Sequence, residues 1–124
     1  MVAMQWQGGV LSLLDQGAYP RQEKWITCST WEETAQALAS PAVQDEKVAA
    51  SAAGYGYAQA AVAAQDKLGS DAFQAALDQA KAGLLAARPG SRDVAAALAF
   101  VENPPEAYTK NADKLRHPGH RRHL

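Results

Sequence analysis

Length, composition and charge limit this protein to a few classes. The chain has 124 residues, which suffices for one domain, and its formal net charge is −1. Apolar residues make up 48% of the chain, but 28 residues are alanine and 21 are Leu, Ile, Val or Phe. This composition predicts a folded, mostly helical domain with a thin core, and a thin core favours contact with a partner surface.

Several classes are excluded by the same counts. No run of 18 apolar residues occurs, so we expect no membrane span. The first residues lack the basic and long apolar segments of a signal peptide. A single cysteine, Cys28, excludes a disulfide scaffold and a cysteine-based zinc site. We therefore expect a cytoplasmic protein that holds no metal.

The first thirty residues predict a small antiparallel sheet. The segments 4–7 and 10–14 flank Gly8-Gly9, a pair typical of two-residue hairpin turns. The segment 23–28 alternates and contains β-forming residues, which predicts a third strand. Two or three strands are marginal by themselves, so this sheet must pack on helices.

The chain after Cys28 predicts helices. Ser29 and Glu32 have the spacing of a capping box, which would begin the first helix. Ser40-Pro41 favours the start of a second helix that runs from Pro41 to Lys67. Its apolar face would carry Val48, Tyr55 and Val62, with Ala52 and Gln59 between them.

Three further helices complete the expected fold. Ser70 caps the third, which runs from Asp71 to about Ala87, and Ser91 caps the fourth. A more polar fifth helix follows Pro104 and ends near Arg116. We predict an α+β fold in which a sheet of two to three strands precedes an Ala-rich bundle of four to five helices. This single domain would cover residues 1–116, with strands over 4–28, helices over 30–116 and a basic tail over 117–124.

Gly54, Tyr55 and Gly56 lie inside the second predicted helix. They do not follow a strand, so they are not a dinucleotide-binding loop. One interpretation is that the glycines let a neighbouring helix or loop come close. The other is that they form the backbone of a pocket to which a ligand's phosphate or sugar comes close.

The C-terminal segment is basic on an acidic body. Residues 110–124 contain five basic residues and one acidic residue, whereas residues 1–109 contain seven and twelve. His117, His120 and His123 recur every three residues, but Pro118-Gly119 interrupts a helix and arginines lie between the histidines. We therefore expect these histidines to belong to a tail without a metal site. Contact with nucleic acid or an acidic partner is the alternative, although five charges without interleaved aromatic residues favour it weakly.

Two further residues have chemical potential. Cys28 ends a predicted strand with no histidine near it in sequence, which favours a buried, inert thiol. Arg88 lies between a helix end and a new helix start, where a guanidinium and free amides can bind a phosphate. The alternative is that Arg88 binds the last carbonyls of its helix.

Four segments of the chain, in order, resemble one known family. They are MQWQGGVLSLLDQGAYP, WITCSTWEETAQAL, VAASAAGYGYAQAA and ARPGSRDVAAAL. Together they resemble the N-terminal third of the 5-methylthioribose-1-phosphate isomerases. That superfamily includes ribose-1,5-bisphosphate isomerases and the regulatory subunits of translation-initiation factor 2B. The resemblance implies a small antiparallel sheet with a helical bundle, and a place in methionine salvage.

The resemblance also implies what this segment contributes to a site. In the family an aldose is converted to a ketose without a cofactor, by a Cys and an Asp of a C-terminal Rossmann-like domain. Cys28 does not correspond to that cysteine. Of two phosphate-contacting arginines, one corresponds to Arg88. The other corresponds to Gln44, and Asp45 and Glu46 follow it where the family has no acids.

These departures predict that the chain alone catalyses no isomerisation, because an acid/base pair and one charged phosphate contact are missing. We expect a binding or interaction domain that associates with itself or with a partner chain, with a sugar phosphate as its possible ligand. The alternatives are a split sugar-phosphate isomerase that needs a separate Rossmann-like chain, and binding of nucleic acid or an acidic partner through the basic tail.

Overall fold

Along the chain, a small sheet comes first and a helical bundle follows it. The structure, a computed structural model, describes residues 3–102. Its elements are β1 (Met4–Gln7), β2 (Val10–Leu14), β3 (Trp25–Cys28), α1 (Trp31–Ala39), α2 (Glu46–Ala63), a 3₁₀ turn (Gln65–Lys67), α3 (Asp71–Ala87) and α4 (Arg92–Glu102). The predicted α+β class, with three antiparallel strands followed by four helices, is confirmed. The predicted fifth helix and the basic tail lie outside the described residues.

A tight hairpin starts the sheet. Gly8 and Gly9 have φ of 61° and 83°, the left-handed values that a type I′ turn requires at both central positions. The strand order is β1-β2-β3, with both pairings antiparallel. Leu11, Leu13 and Cys28 project from one face of the sheet and are completely buried. That face is therefore the one covered by the helices.

Helix α2 lies at the centre of the bundle and packs on α1, α3, α4 and β2. Its buried positions are mostly small: Ala49, Ala52, Ala53, Gly56, Tyr57, Gln59 and Ala60. A Cβ at Gly56 would lie 3.0 Å from Leu84 Cδ2 and 3.2 Å from Thr34 Cγ2, so α1 and α3 approach α2 very closely there. The bulk of the core comes instead from leucines of the surrounding elements, such as Leu38 and Leu98.

Helix α2 is shorter than the sequence predicts, and both predicted ends are wrong. Ser40 closes α1, because its amide and its hydroxyl both donate to the Ala37 carbonyl. Asp45 is the N-cap of α2, and its carboxylate accepts from the amides of Lys47 and Val48. The prediction used Ser40 for the wrong helix, since a serine can serve either a C-terminal or an N-terminal end.

The predicted apolar face of α2 is also displaced. Val62 is 54% exposed, and Tyr55 is half-buried, whereas Ala49, Ala53 and Ala60 are buried. The prediction took the larger residues at seven-residue spacing as the buried face. Close contacts between helices instead require small side chains at the buried positions. Ala52 and Gln59 of that predicted face are buried.

The capping box of α1 is displaced by one residue. Thr30 is the N-cap, and its hydroxyl accepts from the Glu33 amide at 3.2 Å. The Glu33 carboxylate in turn accepts from the Ser29 amide at 2.6 Å. The sequence contains both Ser29–Glu32 and Thr30–Glu33 at the same spacing, so the pattern alone does not decide between them.

Gln59 joins the sheet to the bundle through its buried side-chain amide. Its Nε2 donates to the carbonyls of Gly9, at 3.1 Å, and of Cys28, at 2.8 Å. Its Oε1 accepts from the Thr34 hydroxyl at 2.6 Å. One side chain of α2 therefore binds the hairpin turn, the end of β3 and helix α1, and all three of its hydrogen bonds lie in or next to the core.

Replacing Gln59 with Leu should destabilise the fold. The change removes three hydrogen bonds in or next to the core, those to the carbonyls of Gly9 and Cys28 and that from the Thr34 hydroxyl. Loss of the partner of a buried polar group costs about 1–3 kcal/mol. We expect a loss of about 3 kcal/mol in the free energy of unfolding, measured by urea titration. Gln36→Leu on the exposed face of α1 is the matched control. Equal effects of the two changes would contradict the role of the Gln59 amide.

Two glycines of the bundle should respond to alanine in opposite directions. At Gly54 an added Cβ meets only Val101 Cγ1 at 3.8 Å, so Gly54→Ala should stabilise the helix by up to about 1 kcal/mol. At Gly83 the Cβ would lie 2.7 Å from Cη2 of the Trp31 ring, so Gly83→Ala must displace that ring and should lower the melting temperature. Thermal unfolding of both variants checks the contrast, which a shift in the same direction would contradict.

Candidate functional site

The corner between α3 and α4 positions the candidate site. Helix α3 ends at Ala87, and Gly90, with a φ of 83°, lets the chain turn sharply before α4. The Ser91 amide donates to the Arg88 carbonyl at 3.1 Å, which closes the turn. Ser91 caps α4, as predicted, because its hydroxyl accepts from the Val94 amide at 3.2 Å. The side chains of Arg88 and Ser91 are thereby held on the same corner.

Arg88 binds groups from other parts of the chain. Its Nη1 donates to the carbonyl of Leu38, at 2.9 Å, at the end of α1 and to that of Val43, at 2.7 Å, in the following loop. Its Nη2 donates to Glu46 Oε2 at 2.6 Å. The Arg88 side chain is 17% exposed. The guanidinium thus binds one carbonyl at the end of α1 and one in the following loop, rather than the last carbonyls of its own helix.

Glu46 forms the other half of this arrangement. It is the first residue of α2, and its second oxygen, Oε1, accepts from the Ser91 hydroxyl at 2.5 Å. The Ser91 hydroxyl and then the Arg88 guanidinium stabilise the charged form, so the pKa of Glu46 is lowered from its ordinary value. We call this set of three side chains, Glu46, Arg88 and Ser91, the corner triad.

The corner triad lines an open cleft of about 660 Å³. The cleft is bounded by the end of α1, the first turn of α2, the α3–α4 corner and the first turn of α4. Two arginines, Arg88 and Arg92, and two acids, Glu46 and Asp93, contribute to it. The first turn of α4 has amides without intrahelical partners, which attract anions. The cleft therefore combines donors for an oxyanion with acids that already counterbalance the arginines.

The structure separates Gly54, Tyr55 and Gly56 from this cleft. They lie at least two turns along α2 from Glu46, or about 12 Å. Gly54 is next to Val101, the Tyr55 ring stacks on that of Trp6 with centroids 4.7 Å apart, and Gly56 is packed between α1 and α3. Gly56 thus lies where close helix packing needs a glycine, and a pocket formed by these backbones stays a prediction.

Cys28 is completely buried at the end of β3. Burial raises the pKa of its thiol, and this effect exceeds the opposite effect of a hydrogen bond with Thr34. At neutral pH the thiol is therefore protonated, which suits a core residue and not a nucleophile. No group of three His, Cys, Asp or Glu residues within 3–102 is arranged to hold a metal ion. None of the helices in that range is long and apolar enough to cross a membrane.

Two residues of the site region escaped the sequence analysis. The sequence marks Glu46 only as a departure from the family's pattern and does not pair it with Arg88, which lies 42 positions away. Gln16 binds the start of α2, because its Oε1 accepts from the amides of Gln44, at 2.7 Å, and Asp45, at 3.0 Å. Local patterns carry no signal for such distant pairs. The departure of the segment 44–46 from the family's pattern is the available signal.

Comparison of the sequence with known proteins finds methylthioribose-1-phosphate isomerases. No protein-family model matches the chain. The enzyme of Thermosipho melanesiensis is 30% identical over 111 residues, which are 88% of this chain and 31% of that protein. The enzyme of Alkalilimnicola ehrlichii is 37% identical over 87 residues, 70% of this chain and 25% of that protein. The chain thus spans less than a third of the length of these relatives.

Solved structures show the same resemblance in the fold. The 5-methylthioribose 1-phosphate isomerase of Pyrococcus horikoshii superposes with a TM-score of 0.74 over 81% of this chain and 28% of its own, at 23% identity. The delta subunit of translation initiation factor eIF-2B from A. fulgidus superposes with a TM-score of 0.65 over 77% of this chain, at 28% identity. The chain therefore resembles part of this superfamily in both sequence and fold.

The contribution of Glu46 to stability should depend on pH. Because its pKa is lower in the folded state, its interactions stabilise the protein above the ordinary carboxyl pKa of 4.5 and are lost as the pH falls through the lowered value. Glu46→Gln should therefore lower the free energy of unfolding at about pH 7, and the difference from the wild type should shrink as the pH falls below the ordinary carboxyl pKa of 4.5. Urea titrations across this range measure it. The exposed Glu32→Gln is the control, and a pH-independent difference for Glu46→Gln would contradict the assignment.

Proposed function

We propose that this chain is an isomerase-like binding domain that docks on another polypeptide surface and does not catalyse isomerisation by itself. The observation that carries the proposal is the state of Arg88. The guanidinium that the resemblance assigns to a phosphate is held by two backbone carbonyls and by the Glu46 carboxylate.

Catalysis of an aldose–ketose conversion needs a base and an acid within hydrogen-bond reach of the sugar. The resemblance places the corresponding Cys and Asp in another region of the enzymes. Within the described residues, Cys28 is completely buried and its pKa is raised. The cleft at the corner triad contains carboxylates, but Glu46 is already bound by a guanidinium and a hydroxyl. These facts support a role in binding rather than in chemistry.

Apolar side chains left in solvent support a docking role. Trp6 is 36% exposed, Val62 54% and Val101 39%, on β1, α2 and α4 respectively. The ring of Trp6 stacks on Tyr55, and Val101 lies against Gly54, so β1 and α4 flank neighbouring positions of α2. Contiguous exposed apolar side chains are typical of protein–protein contacts. Self-association is the form of docking that can be measured on the chain itself.

A second candidate function is that of a subunit in a split sugar-phosphate isomerase. The cleft favours it, because Arg88, Arg92 and Ser91 gather beside the first turn of α4, where an oxyanion would be stabilised. In that case a separate Rossmann-like chain would supply the acid and the base. Binding of nucleic acid through the basic tail stays a prediction, since the tail lies outside the described residues.

Sedimentation equilibrium and an isomerase assay on the purified full chain test the docking proposal. We expect the wild type to self-associate and the double variant Val62→Ser, Val101→Ser to shift towards monomer, because polar groups there disfavour an apolar contact. Leu68→Ser, in the turn before α3, replaces an apolar residue that is more exposed than either valine, and it should leave association unchanged.

Each half of the proposal has its own contrary outcome. A wild type that sediments as a monomer at every concentration would remove the docking role. Turnover of methylthioribose-1-phosphate by the purified chain would contradict the absence of catalysis.

A further inference from the structure

We propose that Glu46 is a built-in competitor that fills an oxyanion site between Arg88 and Ser91, and that a phosphate-bearing ligand binds there only when Glu46 moves away. The inference concerns regulation of the cleft. The identity of the ligand, a sugar phosphate, rests on the second candidate function, the split isomerase. The oxyanion site between Arg88 and Ser91 does not rest on it. The Glu46 carboxylate is itself an oxyanion, and in the structure it accepts hydrogen bonds from Arg88 and Ser91.

The donors around Glu46 are those that an external oxyanion would use. One carboxylate oxygen is 2.6 Å from Arg88 Nη2, and the other is 2.5 Å from Ser91 Oγ. A guanidinium and a hydroxyl that bind two oxygens of one group are a common arrangement for phosphate and sulfate. All three residues line the open cleft, so an anion from solvent can reach the same donors.

The site is preformed on the Arg88 side. Nη1 is fixed by the Leu38 and Val43 carbonyls, and these bonds do not involve Glu46. Ser91 is fixed as the cap of α4 through its bond to the Val94 amide. Departure of the carboxylate therefore leaves both donors in place, directed by contacts that persist.

The Glu46 side chain can rotate away from the site, whereas the Arg88 side chain is held in it. The Glu46 side chain is 46% exposed, against 17% for that of Arg88. Helix α2 does not need Glu46 for its cap, because Asp45 accepts from the amides of Lys47 and Val48. A rotation of the Glu46 side chain into solvent would thus open the site without unwinding the helix.

The cleft itself offers a matched control. Asp93 also lines the cleft, and no hydrogen bond or ion pair joins it to Arg88 within the described residues. Glu46→Gln and Asp93→Asn each remove one negative charge from the same surface. A general electrostatic effect would act similarly in both variants, whereas release of a competitor would act only in Glu46→Gln.

The experiment measures binding of sulfate, and separately of methylthioribose-1-phosphate, to the purified full chain at neutral pH by calorimetry or NMR titration. Sulfate is a suitable probe because it carries two negative charges at neutral pH. We expect Glu46→Gln to bind sulfate about tenfold more tightly than the wild type, which corresponds to about 1.4 kcal/mol. Asp93→Asn should change the affinity by less than about threefold. Glu46→Ala is a second variant, in case the glutamine amide itself occupies Arg88.

The outcomes separate this inference from the function that supports it. Equal gains in Glu46→Gln and Asp93→Asn, or no gain in either Glu46 variant while circular dichroism shows them folded, would overturn the competition. A gain for sulfate without binding of the sugar phosphate would uphold the competition and contradict the sugar-phosphate function. An added Arg88→Ala change should abolish the gain, and its persistence would place the anion elsewhere.

Discussion

The side-chain amide of Gln59 is the polar contact through which the sheet and the helices become one structure. A three-stranded sheet with short strands has little stability by itself, so it needs a fixed position on the bundle. Gln59 supplies that position, because one amide binds the hairpin turn, the end of β3 and Thr34 of α1. Its partners in turn fix the face of α2 that meets α1, and the close packing of α3 depends on that face. A fully satisfied buried amide also disfavours other registers, since each would leave some of these groups unpaired.

The corner triad joins separate segments of the chain at the N-terminal end of α2, as Gln59 does near its C-terminal end. Arg88 connects the end of α1, the loop before α2 and the first residue of α2 with the α3–α4 corner. The same contacts that hold these segments together occupy the group on which anion binding would depend. In the proposed function, structural and binding roles compete for one guanidinium, and the Glu46 carboxylate sets how available the cleft is.

The sequence predicted what local chemistry determines. The Gly8-Gly9 hairpin, the caps at Ser70 and Ser91 and the fold class follow from turn and capping preferences that act over a few residues. The start of α2 was missed because Ser40 suits two helix ends equally well. The pairing of Glu46 with Arg88 could not be predicted at all, since it joins positions 42 apart and exists only after four segments have packed. Arg88 itself is a predicted site residue both because of its place at a helix corner and because of the family resemblance.

The alanine-lined face of α2 has an evolutionary consequence. In most cores the damaging substitutions are truncations, because they leave cavities. Apart from Tyr57 and Gln59, the buried face of the central helix has almost nothing to truncate, and its neighbours are already near the limit of approach at Gly56. The substitutions that harm α2 are enlargements, which push whole helices apart. Positions such as Ala49, Ala52 and Ala53 can therefore drift among the smallest amino acids and little further, whereas the leucines around them carry the ordinary sensitivity to loss of volume.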